Sequence, residues 1–142
     1  MKFIHTVLLL ALAFSPHAAR AEFTILHIAG VSIHAEVART PQSRTQGLMQ
    51  RTRLCQDCGM LFIFPQAGRH TFWMKNTLLP LSIAFIAADG TIFNIAEMQP
   101  NTIDTHIAQG DALYALEMNS GWFTHSGVKP GDKVKGLSSG AW

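Results

Sequence analysis

Residues 47–81, GLMQRTRLCQDCGMLFIFPQAGRHTFWMKNTLLPL, decide how the rest of this chain is interpreted. Within them the apolar run Met60–Phe64 ends at Pro65 and is followed by the turn-like segment 66–68. A short apolar run that is bounded by turn residues predicts a buried strand. The same stretch holds a Cys-x-x-Cys pair and a cluster of Trp, Lys and Asn. It therefore predicts a functional site within a β-rich frame.

Alternating and apolar segments on both sides of this stretch predict further strands. Residues 23–37 predict a hairpin, because apolar and polar residues alternate from Val31 to Val37 and Ala29-Gly30 allows a turn. Asp89-Gly90 between two apolar segments predicts a second tight turn. The other predicted strands are His70–Met74, Leu81–Ala87, Thr91–Met98, Ala112–Met118 and Lys133–Leu137.

One short helix is predicted in the N-terminal half. Thr40 is a favoured N-cap and Pro41 suits the first helical position, so the helix runs through residues 42–46 towards Met49. A further short helical segment is predicted near residues 123–127. Short strands about every 8–12 residues with so little helix are typical of a mainly β fold, either a small sandwich or a barrel.

Residues 1–21 have the features of a signal peptide. Lys2 supplies the positive start, residues 7–14 are apolar, and Ala19-Arg20-Ala21 fits a cleavage site. The apolar run is shorter than the roughly 20 residues that span a bilayer core. The prediction is a single β-rich domain, 22–142, that is exported to the periplasm or secreted and has no membrane span after cleavage.

The charge balance argues against nucleic-acid binding. The chain has 11 Lys and Arg against 9 Asp and Glu. Lys2 and Arg20 would leave with the signal peptide, so the remaining charges balance. No basic run is present that would form an electrostatic footprint for nucleic acid.

Cys55 and Cys58 are the only cysteines of the chain. In an exported protein a disulfide between them is the expected state, and it would fix the turn that enters the Met60–Phe64 strand. The alternative is a redox pair. A redox Cys-x-x-Cys normally starts a helix, whereas Gly59 and an apolar β run follow here. A zinc site would need further ligands at motif spacing, and none stands near.

Five methionines remain after the predicted cleavage. Soft thioethers select Cu(I), so a copper-handling protein is one interpretation. Copper-binding methionines usually cluster, whereas these are spread singly through apolar runs, which favours a role as core residues. They are Met49, Met60, Met74, Met98 and Met118.

The segment Trp73–Thr77 offers an aromatic ring, an ammonium, an amide and a hydroxyl at short spacing. If it is a strand, Trp73, Lys75 and Thr77 share one face, which suits a polar or anionic small molecule. The alternative is an edge strand with a solvated lysine. Glu117 is a carboxylate among apolar neighbours, so it either faces solvent or pairs with Arg51 or Lys75 in a pocket.

Motifs for catalysis are missing from the sequence. The Gly-x-Ser-x-Gly elbow, phosphate loops and dinucleotide fingerprints are absent. We therefore predict no catalytic residue, no metal and no cofactor, which argues against an enzyme without deciding the question.

Four blocks together resemble the domain-of-unknown-function 192 family. They are Gly47–Met49, Gly59–Phe62, Phe72–Thr77 and Leu116-Glu117. The resemblance covers roughly residues 24–137 and implies a small, often exported domain with a jelly-roll-like β fold. It supplies site positions without a reaction. This chain has Ser82 where the family usually has an acidic residue, and its cysteine pair looks like an addition to the family pattern.

The sequence and the resemblance together favour an exported domain that binds a small polar or anionic ligand, or a cell-envelope polymer. Arg51 and Lys75 would supply charge, while Trp73 would supply a stacking surface. The predicted ligand-binding residues are Met49, Arg51, Trp73, Lys75, Asn76, Thr77 and Glu117. The alternatives are a hydrolase of unassigned type, an envelope assembly factor and a periplasmic copper-handling protein. The oligomeric state stays open.

Overall fold

The structure is a computed structural model, and it describes residues 20–138. The predicted signal peptide lies outside the described residues, apart from its last two positions. Among the described residues, no helix is both long and apolar enough to cross a membrane.

The described chain is mainly β, as the sequence predicts. Six strands form one sheet in the order β1-β2-β3-β8-β5-β6, and two short strands, β4 and β7, pair separately. Neighbours in the large sheet are antiparallel except β2 and β3, which are parallel. The strands are β1 (Phe23–Ile28), β2 (Val31–Ala38), β3 (Cys58–Gly68), β4 (Thr71–Phe72), β5 (Leu81–Ala87), β6 (Ile92–Met98), β7 (His106–Ile107) and β8 (Ala112–Asn119).

One C-terminal segment reaches both edges of the large sheet. Lys133 bridges Thr91, next to β6, and Lys135 bridges His27 on β1. These are isolated bridges, so the predicted strand over residues 133–137 is wrong. Across residues 20–138 the sheet is not closed into a barrel. The segment instead pairs with backbone groups that both edge strands would otherwise leave unpaired.

Residues 20–138 contain two short helices. In α1 (Pro41–Gln46), Thr40 caps the N-terminus: its hydroxyl accepts from the Ser43 backbone N–H, and the Ser43 side chain accepts from the Thr40 N–H. This reciprocal capping confirms the predicted helix start. The second helix, α2 (Trp122–His125), lies close to the short helical segment predicted near residues 123–127.

Both faces of the large sheet are buried, and each has its own core cluster. The first cluster contains Leu26, Ile33, Leu61, Ile86, Leu116 and Met118 and lies under Trp122 and Phe123 of α2. The second contains Leu48, Met60, Phe62, Met74, Ile83, Phe85 and Met98. Strand β8 alternates between the two, so Leu116 and Met118 face the first cluster and Glu117 faces the second. The candidate site lies on this second face.

Candidate functional site

A cleft of about 440 Å³ opens on the second face of the sheet. Its lining comes from α1 and the turn after it, from β3, from the segment at β4, and from β8. The lining residues are Pro41, Arg44, Thr45, Gln46, Gly47, Leu48, Met49, Phe62, Phe64, Thr71, Phe72, Trp73, Thr77 and Glu117.

Glu117 is the acidic residue of the cleft lining. It pairs with Met60 on β3 and with Ile83 on β5, so apolar side chains lie on either side of it in the same row of the sheet. Only 4% of Glu117 is exposed. Among residues 20–138, no side chain donates a hydrogen bond to its carboxyl group. Burial therefore raises the pKa of Glu117 from its ordinary value of 4.5 to about 8.

Aromatic rings form the walls of the cleft. The Phe62 and Phe72 rings meet edge to face with centroids 4.9 Å apart, and the Phe64 and Phe72 rings do so at 6.1 Å. Phe62 is buried in the core, whereas 49% of Trp73 is exposed at the rim. The cleft is therefore an apolar, aromatic cavity with a carboxyl group in its lining.

The end of α1 shapes one side of the cleft. Gly47 ends the helix with φ 47° and ψ −136°, a conformation that side chains disfavour. A Cβ at this position would lie 3.4 Å from the Phe62 ring. The Arg44 guanidinium donates to the backbone carbonyls of Arg39 and Ile63 and lies 5.7 Å from the Phe64 ring centroid. Arg44 is thus held at the wall by protein groups.

The segment Trp73–Thr77 is a turn, which corrects the prediction of a strand with alternating faces. Asn76 has φ 54°, and the Thr77 N–H donates to the Met74 carbonyl. The turn exposes Lys75 and Asn76 and buries Met74 and Thr77. The predicted strand over residues 70–74 shortens to Thr71–Phe72, because the chain leaves its partner strand at the turn.

The structure brings four of the seven predicted binding residues to the cleft. They are Met49, Trp73, Thr77 and Glu117. Lys75 and Asn76 do not line it; the Lys75 ammonium lies 5.5 Å from the Trp73 ring centroid, outside the lining. Arg51 also does not line it, because its guanidinium forms an ion pair with Glu36 at 2.8 Å.

The Glu36–Arg51 pair lies on the same row of the sheet as Glu117. Glu36 pairs with Met60, which pairs with Glu117, so two strand spacings of about 5 Å each separate the two acids. Arg51 therefore neutralises Glu36 and leaves Glu117 without a cation. The sequence suggested a pair between Glu117 and Arg51 or Lys75, and neither side chain pairs with it.

Cys55 and Cys58 form a disulfide next to a second, smaller cleft of about 300 Å³. The Asn119 amide donates to the carbonyls of Leu54 and Cys55, and the Trp122 indole N–H donates to Asp57 at 2.9 Å. The disulfide loop thereby connects the end of β8 to α2, which fits a structural role.

No group of three or more His, Cys, Asp or Glu in residues 20–138 is arranged to hold a metal ion. The five methionines of the described chain lie in the core or at the cleft. Met60, Met74 and Met98 are buried in the second core cluster, Met118 in the first, and Met49 lines the cleft.

Arg44 and the three phenylalanines of the wall were not predicted as site residues. They are Phe62, Phe64 and Phe72, and the sequence presents them as ordinary strand residues. The pairing of β3 with β8 brings the β3 part of this wall next to Glu117. The local signal for this wall was the set of family blocks, which contain Gly47, Phe62 and Phe72.

Comparisons with known proteins support a family assignment without an activity. No curated protein matches this chain. A crystal structure of a proposed transcription regulator from Sinorhizobium meliloti 1021 is similar, with a TM-score of 0.78 and 36% identity over 82% of this chain and 95% of that one. A protein of unknown function from Novosphingobium aromaticivorans DSM 12444 gives a TM-score of 0.79 and 35% identity over 89% of this chain and 93% of that one.

The family comparison covers most of the described chain. Residues 24–136 match the model of DUF192, described as an uncharacterized ACR. This range contains every residue of the cleft lining and the disulfide. The chain belongs to the DUF192 family, as its motifs predict.

Proposed function

We propose that this protein is an exported, periplasmic or secreted domain that binds a small ligand in the cleft around Glu117. The observation that carries the proposal is a buried carboxyl group in an open, aromatic cavity, with no hydrogen-bond partner among residues 20–138. Ligand sites are typically concave and apolar, with a few polar groups that fix the orientation of the ligand. Glu117 and Thr77 are such groups here.

The energetics support a site in preference to a purely structural cavity. A buried acid without hydrogen bonds is costly to desolvate, and a well-packed apolar residue would avoid that cost. A bound ligand would supply the missing partner and would cover the walls formed by Phe64 and Trp73. The cleft thus has the chemistry of a site whose partner comes from outside the chain.

A second candidate is proton-transfer catalysis, which corresponds to the hydrolase alternative. It is favoured by the pKa of Glu117, which burial raises to about 8, near the range in which a general acid or base works best. Thr45, Thr71 and Thr77 supply hydroxyl groups in the lining. Binding is the better-supported function, because it requires only the carboxyl group and the walls.

Transcription regulation, the role proposed for the Sinorhizobium meliloti protein, has little support in this chain. Its 11 Lys and Arg are nearly balanced by 9 Asp and Glu. Arg44 in the cleft lining donates to backbone carbonyls, and Arg51, outside the lining, is paired with Glu36. Nucleic-acid binding would instead need a concentrated basic surface.

The proposal is tested by an NMR fragment screen on the purified protein. The fragments combine a phenyl or short alkyl body with an amine, hydroxyl, carboxylate or amide group. We expect binders to shift the backbone amide signals of Gly47, Leu48, Thr77 and Glu117. Amides around the smaller cleft, in residues 120–126, serve as the internal comparison.

Two variants, each of which truncates an exposed side chain, serve as the test and its control. Trp73→Ala removes part of the cleft rim and should weaken every binder. Ile103→Ala removes a side chain that is 72% exposed and not part of the lining, so binding should persist. A screen in which no fragment shifts the cleft amides contradicts the proposed function.

A further inference from the structure

We infer that the ligand of the cleft carries a protonated amine on an apolar, preferably aromatic, body. The amine would contact the Glu117 carboxylate, and the body would pack against Phe64, Phe72 and Trp73. This inference rests on the proposed binding function and adds the chemical class of its ligand.

The surroundings of Glu117 favour a cation over other groups. An ammonium group offers three donors and a positive charge, so it satisfies a buried carboxylate by both hydrogen bonding and charge. A hydroxyl group supplies one donor and no charge. A carboxylate would oppose ionisation of Glu117 and would itself lose hydration in the low-dielectric cleft.

The aromatic walls favour the same class. The face of an aromatic ring attracts a cation that lies within about 6 Å of its centroid. Two rings of the lining already attract protein cations: Arg44 lies 5.7 Å from the Phe64 centroid and Lys75 lies 5.5 Å from the Trp73 centroid. Ring faces at this site are therefore placed where positive charge can approach them.

The basic groups around the cleft do not compensate Glu117. On α1, the Arg44 guanidinium donates to the Ile63 carbonyl at 3.1 Å. On the segment between α1 and β3, Arg51 is paired with Glu36 of β2. On the turn after β4, Lys75 lies at the Trp73 ring. The partners of Glu117 on β3 and β5 are apolar. The carboxyl group of Glu117 is thus left for a ligand, and an ammonium group would stabilise its ionised form.

Three phenyl compounds of similar size separate the ligand classes: 2-phenylethylamine, 2-phenylethanol and phenylacetate. We expect calorimetry at pH 7 to show that the amine binds about ten-fold more tightly than the other two, because a charge-assisted contact is roughly twice as strong as a neutral one. Binding of the amine should also release about one proton, because it stabilises the ionised form of Glu117. Buffers that differ in ionisation enthalpy measure this release.

Glu117→Gln is the decisive variant, because it keeps the shape of the side chain and removes its charge. It should lower the affinity for the amine to that for the alcohol and abolish proton release. Glu22→Gln is the matched control: Glu22 lies outside the cleft, paired with Arg39, so this variant should bind as the wild type does.

The possible outcomes test the ligand class and the proposed binding function separately. Preferential binding of phenylacetate at the cleft would overturn the amine class while supporting the binding function. An amine preference that survives in Glu117→Gln would also overturn the inference. If none of the three compounds binds while other fragments shift the cleft amides, the ligand class is wrong. If no fragment shifts those amides, the proposed function itself fails.

Discussion

Two acidic residues on neighbouring parts of the sheet have opposite surroundings. Glu97 on β6 is exposed, yet its carboxylate accepts from the hydroxyl groups of Ser82 and Ser120 at 2.6 and 2.8 Å. It also accepts from the Gly121 backbone N–H at 3.2 Å. Glu117 on β8 is buried and receives no such bond from the described side chains.

If folding stability alone determined the arrangement, the hydrogen-bond donors would surround the buried Glu117 and not the exposed Glu97. Hydrogen-bond donors matter most where a carboxyl group is removed from water, and buried polar groups are normally satisfied. The Glu97 end of the sheet has the signature of a structural network. At the Glu117 cleft a buried carboxyl group lacks such donors, and this costs stability. Such a cost is typical of functional sites.

The largest expected effect is the pH dependence of the free energy of unfolding, which tests the contrast between Glu97 and Glu117. The folded-state pKa of Glu117 is raised above its ordinary value of 4.5 to about 8, so the folded protein holds this proton more tightly than the unfolded chain does. The stabilisation is fully present below pH 4.5 and is lost as the pH rises towards 8. The loss should be about 4 kcal/mol at roughly 1.4 kcal/mol per pKa unit.

Urea denaturation at pH 5, 6.5 and 8 measures this loss. Glu117→Gln should lack most of the decline, and the difference between the two proteins removes the contribution of the histidines. Glu22→Gln, a control at an exposed acid, should follow the wild type. Parallel stability curves for the wild type and Glu117→Gln would show that Glu117 is not held neutral by burial.

The next largest effect concerns the hydrogen bonds around Glu97. Ser82 is fully buried; its hydroxyl donates to Glu97 and accepts from the Gly121 N–H at 2.8 Å. Ser82→Ala leaves that backbone N–H with only its long contact to Glu97, so the free energy of unfolding should fall by about 1–3 kcal/mol. Ser120→Ala, at an exposed hydroxyl, should cost less than about 1 kcal/mol. Urea denaturation that ranks the two in the opposite order would contradict a structural network.

A comparable effect is expected for the disulfide. The loop between Cys55 and Cys58 is very short, so the bond should contribute about 2 kcal/mol by restricting the unfolded chain. Thiol titration of the protein purified from an oxidising compartment should find no free thiol, and reduction should lower its melting temperature slightly. Two free thiols in the native protein would contradict the disulfide.

The sequence predicted the parts of the fold that depend on local signals. The β1–β2 hairpin follows from alternation with Ala29-Gly30 at its turn, and α1 follows from Thr40 and Pro41. The two ends of β3 were missed. The strand begins at Cys58 because it pairs in parallel with β2, and it continues past Pro65 to Gly68, where it still pairs with β8. Both facts depend on partners distant in the sequence.

The candidate site was predicted less completely, for a similar reason. Glu117 stood out locally as a carboxylate in an apolar strand, and Trp73 and Thr77 stood out through the family motif. The roles of Lys75 and Asn76 depended on an alternating strand, which the left-handed backbone at Asn76 replaces with a turn. The isolation of Glu117 from Arg51 depends on strand order, which no local pattern specifies.

The smallest expected effect is that of Lys75→Ala. Lys75 is exposed, and its contact with Trp73 at the surface is worth only about 0.5 kcal/mol, so the variant should fold with nearly unchanged stability. Because Lys75 does not line the cleft, its removal should leave the affinity for 2-phenylethylamine unchanged within about two-fold or raise it slightly, since one positive charge leaves the rim. Calorimetry on the variant measures this. If Lys75→Ala folds normally but loses affinity for 2-phenylethylamine, Lys75 takes part in the site although it lies outside the lining. The difference between Glu97, which has hydrogen-bond donors, and Glu117, which lacks them, would then no longer explain ligand binding at the cleft.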